Sequence, residues 1–249
     1  MPAQLSGERV FMDNRIQPLM DALLDSVHDR ELFLRRLEPC AQALGFEYYS
    51  YIVFSCYPAS RPKMLIEGNY PAEYLEDYRK LRVYLQDPVI DQAHHSTLQF
   101  HWDEEFYQDR PELWWRMAQF GIREGWSQSI KDCYGRLGIL TFAGKKIPEQ
   151  SPEAGARNET FFLWLAQIAH KTLREALISV NDEAIKDVLT LREKDILRWC
   201  SEGKTSEEIA MLMGLSERTV NFHIGNSIKK LSVANKTAAT AKAVYLQLI

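Results

Sequence analysis

Three sets of residues in this chain have side chains and spacings that could do chemistry. The first lies between Thr205 and Leu231, where Arg218, Thr219, Asn221, Asn226, Lys229 and Lys230 share the face of a helical pattern opposite Val220, Ile224, Ile228 and Leu231. Cations and amides side by side suit a polyanion with readable edges, such as duplex DNA. From Arg218 to Ile249 there are five Lys or Arg and no Asp or Glu, so this stretch attracts phosphate whatever the base sequence. A solvated face on an ordinary helical hairpin is the plainer reading.

The second set is Tyr70, Tyr74, Tyr78, Trp102 and Trp126, polar aromatics among apolar residues, with one acid, Asp87. Tyr and Trp present a large apolar body and one polar handle, and a buried handle wants a partner. A small molecule with carbonyls and one N–H would supply partners. Taken singly, each aromatic reads equally well as core, and Asp87 as a helix cap.

The third set is His94, His95 and His101 with Asp103, Glu104 and Glu105, which invites a metal-site reading. No two of them stand at ligand spacing on an established helix face, so they read as a polar surface turn. There is no glycine-rich phosphate loop, no G-x-S-x-G and no H-E-x-x-H. The expectation is a protein that is not an enzyme, with no catalytic residues, no cofactor and no metal.

The first set is positioned by two short helices and a tight turn. Thr205 with Glu208 three residues on is a capping box, followed by Ile209, Ala210 and Met213 on one inward face. Gly214 stands where a helix ends in the left-handed region, and Ser216 can cap the next helix. Small Ala210 and Gly214 with branched Val220 permit the close crossing of a helix-turn-helix. Leu191, Arg192, Glu193, Ile196 and Leu197, then Gly203, Lys204, Thr205, Ile209 and Ala210, then Ser216, Thr219, Val220, His223, Lys230 and Leu231 resemble the LuxR-type DNA-binding domain. On that face, Asn221 and Arg218 are expected at base edges, and Thr205, Thr219, Lys229, Lys230 and Lys236 at phosphates.

The second set sits in a longer alternation of elements. Residues 13 to 44 read as one or two helices stopped by Gly45, and Tyr48 to Tyr57 as a strand. Pro58 to Pro62 turns the chain into a strand at Lys63 to Glu67. Pro71 suits the first position of a helix, with Tyr70, Tyr74 and Tyr78 four apart. Asp87 and Pro88 interrupt it, since proline pushes its predecessor out of helical geometry. A short strand at Leu98 to Trp102, a helix at Pro111 to Gly121 and a hairpin of Gly125 to Ile130 with Leu137 to Ala143, turning at Tyr134 and Gly135, follow. Ser151 to Thr160 reads as a polar loop, and Phe161 to Ile178 as a long helix. The expected fold is α+β: an N-terminal α/β/α sandwich with a ligand pocket, then a small four-helix, all-α helix-turn-helix domain. The divisions are 1–180, a linker at 181–189, and 190–249 beginning at the Thr190–Glu193 capping box.

Asn69, Tyr70, Pro71, Tyr78, Asp87, Pro88, Val89, Trp102, Gly121 and Gly125 resemble the acyl-homoserine-lactone-binding domain of quorum-sensing LuxR regulators. The resemblance implies that Asp87 accepts from the ligand amide N–H and that Tyr70 donates to the acyl carbonyl. It also implies that Tyr78 lies along the acyl chain and Trp102 on the lactone ring. Ser50 and Thr141, one on each central strand, add hydroxyls. Two residues depart from the pattern: Tyr74 replaces the usual Trp, whose indole N–H donates to the lactone carbonyl, and Ser129 stands where many members have proline.

The 249 residues, 46% of them hydrophobic, allow one large domain or two ordinary ones, and two is the expectation. The net charge of −4 is uneven, with nine Lys or Arg against six Asp or Glu after residue 189. Cys40, Cys56, Cys133 and Cys200 have no C-x-x-C spacing and read as reduced thiols. No signal-peptide pattern or membrane-length apolar run occurs, so a cytoplasmic protein is expected. Ala238, Ala239, Ala241, Ala243 and Val244 offer a small-residue surface to a second copy. The expectation is a homodimeric regulator that senses an acyl-homoserine lactone or similar small diffusible signal and binds inverted-repeat promoter DNA. The alternatives are a regulator of this type with a non-lactone signal or none, and an enzyme. A receiver-domain regulator is a further rival, against which speaks an N-terminus that opens on helices rather than on a strand ending in paired acids.

Overall fold

The computed structural model describes residues 16–55, 63–132, 135–147, 152–174 and 188–249, with backbone alone at 152–157. Cys56, the Pro58–Pro62 turn, Cys133, Tyr134, residues 13–15, 175–180 and most of the 181–189 linker lie outside the described residues. Contacts group the chain into two units.

The first unit carries α1 (Gln17–Leu24), α2 (Arg30–Ala43), β1 (Tyr48–Phe54), β2 (Met64–Gly68), α3 (Ala72–Lys80), α4 (Pro88–His95), β3 (Phe100–Trp102), α5 (Pro111–Gln119), β4 (Glu124–Lys131), β5 (Leu137–Gly144) and α6 (Pro152–Leu173). The strands form one antiparallel sheet in the order β2-β1-β5-β4-β3. Successive strand residues point to opposite faces, and β1 shows what covers each. Tyr49 donates to the Leu34 carbonyl of α2 at 2.8 Å, and Tyr51 pairs with His170 of α6 at 2.8 Å. Ser50 and Ile52 face the other way, towards α3 and α4. On β5, Phe142 meets Phe162 of α6 at a centroid distance of 4.9 Å while Thr141 faces the α3 side. Covered on both faces, β5 is buried along its whole length. This is the expected α/β/α sandwich.

Two local expectations change. Pro71 is the residue before α3 rather than its first, with extended ψ of 132°. The expected loop at Ser151 to Thr160 is helix from Pro152 onwards. Proline is tolerated at a helix start, and Glu153, Ala154, Ala156 and Arg157 are helix formers, so a polar composition there does not by itself mean a loop.

The second unit holds α7 (Leu191–Ser201), α8 (Ser206–Met213), α9 (Glu217–Lys230) and α10 (Lys236–Tyr245). Both expected capping boxes are present, Thr190 with Glu193 and Thr205 with Glu208, and Gly214 ends α8 at φ +64°. Ser216 accepts from the Thr219 N–H at the start of α9. Two clusters make the core. Ile196, Ile209, Ala210, Val220 and Ile224 lock the helix-turn-helix, and Leu189, Leu197, Leu231, Ala239, Ala243 and Leu248 seat α10. Ala239 and Ala243 are therefore interior. Their small size lets α10 approach α7, and the surface available to a second copy is left to Val244, Tyr245 and the half-buried Ala238 and Ala241.

Candidate functional site

In the first unit, Ser50, Tyr70, Tyr74, Tyr78, Asp87, Trp102 and Thr141 converge on one cavity, with Ile52, Ile66, Val89, Tyr107 and Met117 completing the wall. Helix α3 supplies Tyr74 and Tyr78 one turn apart, and the chain just before it supplies Tyr70. Tyr74 packs against Tyr70, Tyr78 and Phe120, each at a centroid distance of 5.8 Å. The rings fill most of the space, leaving a cavity of about 30 Å³. Trp126 lies outside this wall and packs edge-on against Phe46.

Asp87 is where the polar groups meet. It caps α4, with Oδ1 accepting from the Val89 N–H at 3.0 Å. Tyr107 donates to the same oxygen at 2.9 Å, and Tyr78 donates to Oδ2 at 2.8 Å. Burial raises the pKa of the carboxyl above its ordinary value, against the pull of these three donors. Burial, with the charge of Asp87 next, also raises the Tyr74, Tyr78 and Tyr107 hydroxyls, so all three remain protonated donors. A carboxylate offers about four acceptor positions, so one on Oδ2 remains for a ligand donor.

The opposite wall is a relay of hydroxyls. Trp102 Nε1 donates to Ser127 at 3.0 Å, and Ser127 pairs with Thr141 at 2.8 Å. Trp102 stands opposite Gly125 in the β3–β4 register, and a Cβ there would come within 2.2 Å of the indole. Only glycine leaves that space. Ser129, in place of proline, donates its hydroxyl to the Ser96 carbonyl just after α4.

Tyr107 and Ser127 were missed by sequence reasoning. Tyr107 sits in a turn with no periodicity to mark it. Ser127 shares a face with Gly125 two residues away, so the strand register opposite Trp102 contained that signal. The third sequence set does not converge: among the described residues, no group of three His, Cys, Asp or Glu can hold a metal ion.

In the second unit, α9 presents Arg218, Asn221 and Lys229 to solvent, with Thr219 and Asn226 half-buried beside them. Asn221 Oδ1 accepts from the Ser206 hydroxyl at 2.7 Å, which leaves the amide N–H₂ for an acceptor outside. The side chains of Arg218 and Lys229 make no hydrogen bond or ion pair among the described residues. Thr205 is occupied as the α8 cap and Thr219 pairs with Ser216 at 2.8 Å, though both stay at the rim of the helix pair.

Two lysines have internal work. Lys230 Nζ donates to Glu193 Oε2 at 2.8 Å, and the same oxygen accepts from the Thr190 N–H at 2.7 Å. Burial pushes the Glu193 pKa up, but the bonds from Lys230 and Thr190 outweigh it and hold the carboxyl below its ordinary value. Lys236 Nζ donates to the Lys204 carbonyl at 2.9 Å. Each ammonium thus has a partner inside the domain, and the phosphate contact expected of Lys230 or Lys236 would be made in exchange for it or beside it.

A cavity with one anchored acid in a covered sheet, joined in one chain to a capped helix-turn-helix, defines a ligand-responsive DNA-binding regulator. Residues 29–173 match the autoinducer binding domain family, and residues 187–243 match the bacterial regulatory proteins of the luxR family. The chain belongs to the LuxR family of autoinducer-binding transcriptional regulators. It is 34% identical over 240 residues to the transcriptional activator protein AnoR of Acinetobacter nosocomialis, covering 96% of this chain and 100% of that one. The crystal structure of Escherichia coli SdiA matches with a TM-score of 0.74 at 28% identity over 94% of this chain and 99% of that one. SdiA in complex with octanoyl-rac-glycerol matches with a TM-score of 0.75, at 28% identity over 95% and 97%. The relatives are named as transcriptional activators and regulators rather than enzymes. Among the described residues, no helix is long and apolar enough to cross a membrane.

Proposed function

We propose that this regulator binds an acyl-homoserine lactone, or a similar small acylated signal, in the Asp87 cavity and, as a cytoplasmic homodimer, binds inverted-repeat promoter DNA through α9. The division of labour is residues 1–180 for the signal, a linker at 181–189, and 190–249 for DNA. The observation that carries the reading is Asp87, a buried carboxylate with three internal donors and one acceptor position left beside a wall of Tyr70, Tyr74 and Trp102. A ligand N–H at that position completes the acid's hydrogen bonding, and the Tyr70 and Thr141 hydroxyls can serve the acyl carbonyl.

An acylated ligand is far larger than the remaining cavity, so binding requires tyrosine rings to swing aside. Signal then acts by linkage: it stabilises the conformation it binds by an amount that grows with the logarithm of concentration over dissociation constant. At the DNA, Arg218 and Asn221 read base edges and Lys229 meets phosphate, and two copies of α9 address half-sites about 34 Å apart, one helical turn. Sedimentation of the full-length complex tests this stoichiometry, because a monomer on a single half-site would overturn the dimer.

The sensing reading is tested by mass spectrometry of small molecules retained when the protein is purified from a signal-producing culture. An acylated compound carried by the wild type and lost from Asp87→Asn is the expected result. A compound retained equally by both would place recognition elsewhere. One residue favours a second reading, a non-lactone signal: Tyr74 offers a phenol where the family's indole would meet a lactone carbonyl, and the likeness to SdiA bound to octanoyl-rac-glycerol is compatible with it.

A further inference from the structure

Four tyrosine hydroxyls border the cavity. Tyr78 and Tyr107 donate to Asp87, and the Tyr70 hydroxyl lies near Ser50. The Tyr74 hydroxyl has no hydrogen-bond partner among the described residues, although the residue is only 4% exposed. Its ring is held on three sides by Tyr70, Tyr78 and Phe120, and the charges of Asp87 and Arg116 are both close enough to act on it. A hydroxyl that lines the cavity without a partner is free to bond a polar group that enters.

We infer that Tyr74 selects the ligand's head group, and that the head group it fits best carries a hydroxyl, as in an acyl chain joined to a short polyol. This rests on the reading that an acylated signal occupies the cavity. A phenol donates one hydrogen bond and accepts another, whereas an indole only donates. A lactone ring presents acceptors alone, so it uses the Tyr74 O–H and leaves the phenol oxygen unmatched. A hydroxyl head group satisfies both functions at once. The neighbouring acid fits the same chemistry, because the open acceptor position on Asp87 Oδ2 takes an O–H as readily as an amide N–H. The geometry thus provides a donor–acceptor at Tyr74 and an acceptor at Asp87, complementary to a vicinal diol or amino-alcohol.

The test is calorimetric binding by full-length protein of three probes: 1-octanoylglycerol, N-octanoyl-homoserine lactone and N-octanoyl-cyclopentylamide, whose ring has neither acceptor nor hydroxyl. The wild type is expected to bind the glycerol ester at least as tightly as the lactone. Tyr74→Phe is expected to weaken the glycerol ester about five- to tenfold, the lactone less, and the cyclopentylamide not at all. Tyr74→Trp should shift preference towards the lactone by a similar factor. Equal weakening of all three probes by Tyr74→Phe, or a preference for the glycerol ester that survives Tyr74→Trp, would overturn the inference. If the cyclopentylamide binds and no Tyr74 variant discriminates, the head-group assignment fails while the acyl site stands. If no probe binds wild type, the acyl reading and the inference both fail.

Discussion

Replacing Lys230 by alanine separates two roles that one lysine on a recognition helix can have. Lys230 is the last residue of α9, and its ammonium reaches Glu193 at the start of α7, 37 residues away, at 2.8 Å. The Glu193 side chain is 3% exposed and that of Lys230 35%. Breaking a fully buried pair costs about 3–5 kcal/mol because the remaining charge is stranded. Here the lysine end is partly solvated and Glu193 keeps its bond to Thr190, so we expect a loss of about 1.5–3 kcal/mol. In a domain of this size each kcal/mol is worth about 4–8 °C, so its melting temperature should fall by at least about 6 °C. Glu193→Gln in the same background should recover part of the loss by removing the stranded charge. The assay is thermal unfolding of the single and double variants, with DNA affinity measured across a salt series. A Lys230 that neutralised phosphate would instead leave stability unchanged and lower the slope of log affinity against log salt by about one. That outcome would refute the internal role.

Other consequences are as direct. Lys229→Ala should reduce the salt slope by about one at unchanged melting temperature, and Asn221→Ala should relax base preference at one position more than it lowers overall affinity, both read by DNA titration. Tyr107→Phe removes one donor from Asp87 without emptying the cavity, so ligand affinity should fall by about 0.5–1.5 kcal/mol in calorimetry while the fold persists. Stability should respond to pH with opposite signs in the two units. Glu193, held below its ordinary value, contributes stability that is present above the ordinary carboxylate pKa and lost as pH falls through the lowered one. Asp87, raised by burial, contributes stability that is full below the ordinary value and declines as pH rises through the raised one. Denaturant unfolding from pH 3 to 7 on Glu193→Gln and Asp87→Asn should remove one slope each.

What could be read before the structure was what local chemistry determines. Thr190, Thr205, Ser216 and Gly214 act within four residues of themselves, so caps and turn were legible from spacing. The cavity residues were legible through likeness to a known family, and the structure brings Tyr70, Tyr74, Tyr78, Asp87 and Trp102 together. Contacts between distant residues were not legible. Nothing near Lys230 announces Glu193, and nothing in the turn after β3 announces that Tyr107 points at Asp87. The alanines of α10 misled for a related reason, since small residues suit a close internal packing as well as an outer one. At residues 152–160, polar composition suggested a loop, although Pro152 at a helix start and the helix formers after it already allowed a helix.

The central claim, that a ligand held by Asp87 governs DNA binding through α9, comes down to one titration. Full-length protein is titrated onto DNA selected by the protein itself from a random pool, with and without N-octanoyl-homoserine lactone or 1-octanoylglycerol, for wild type and Asp87→Asn. Asp87→Asn keeps the size of the side chain but loses its charge, so ligand binding should weaken by about 1.5–3 kcal/mol. The account predicts that ligand tightens DNA binding by wild type and that Asp87→Asn needs about ten- to a hundredfold more ligand for the same effect. Identical ligand dependence in the two proteins would contradict it.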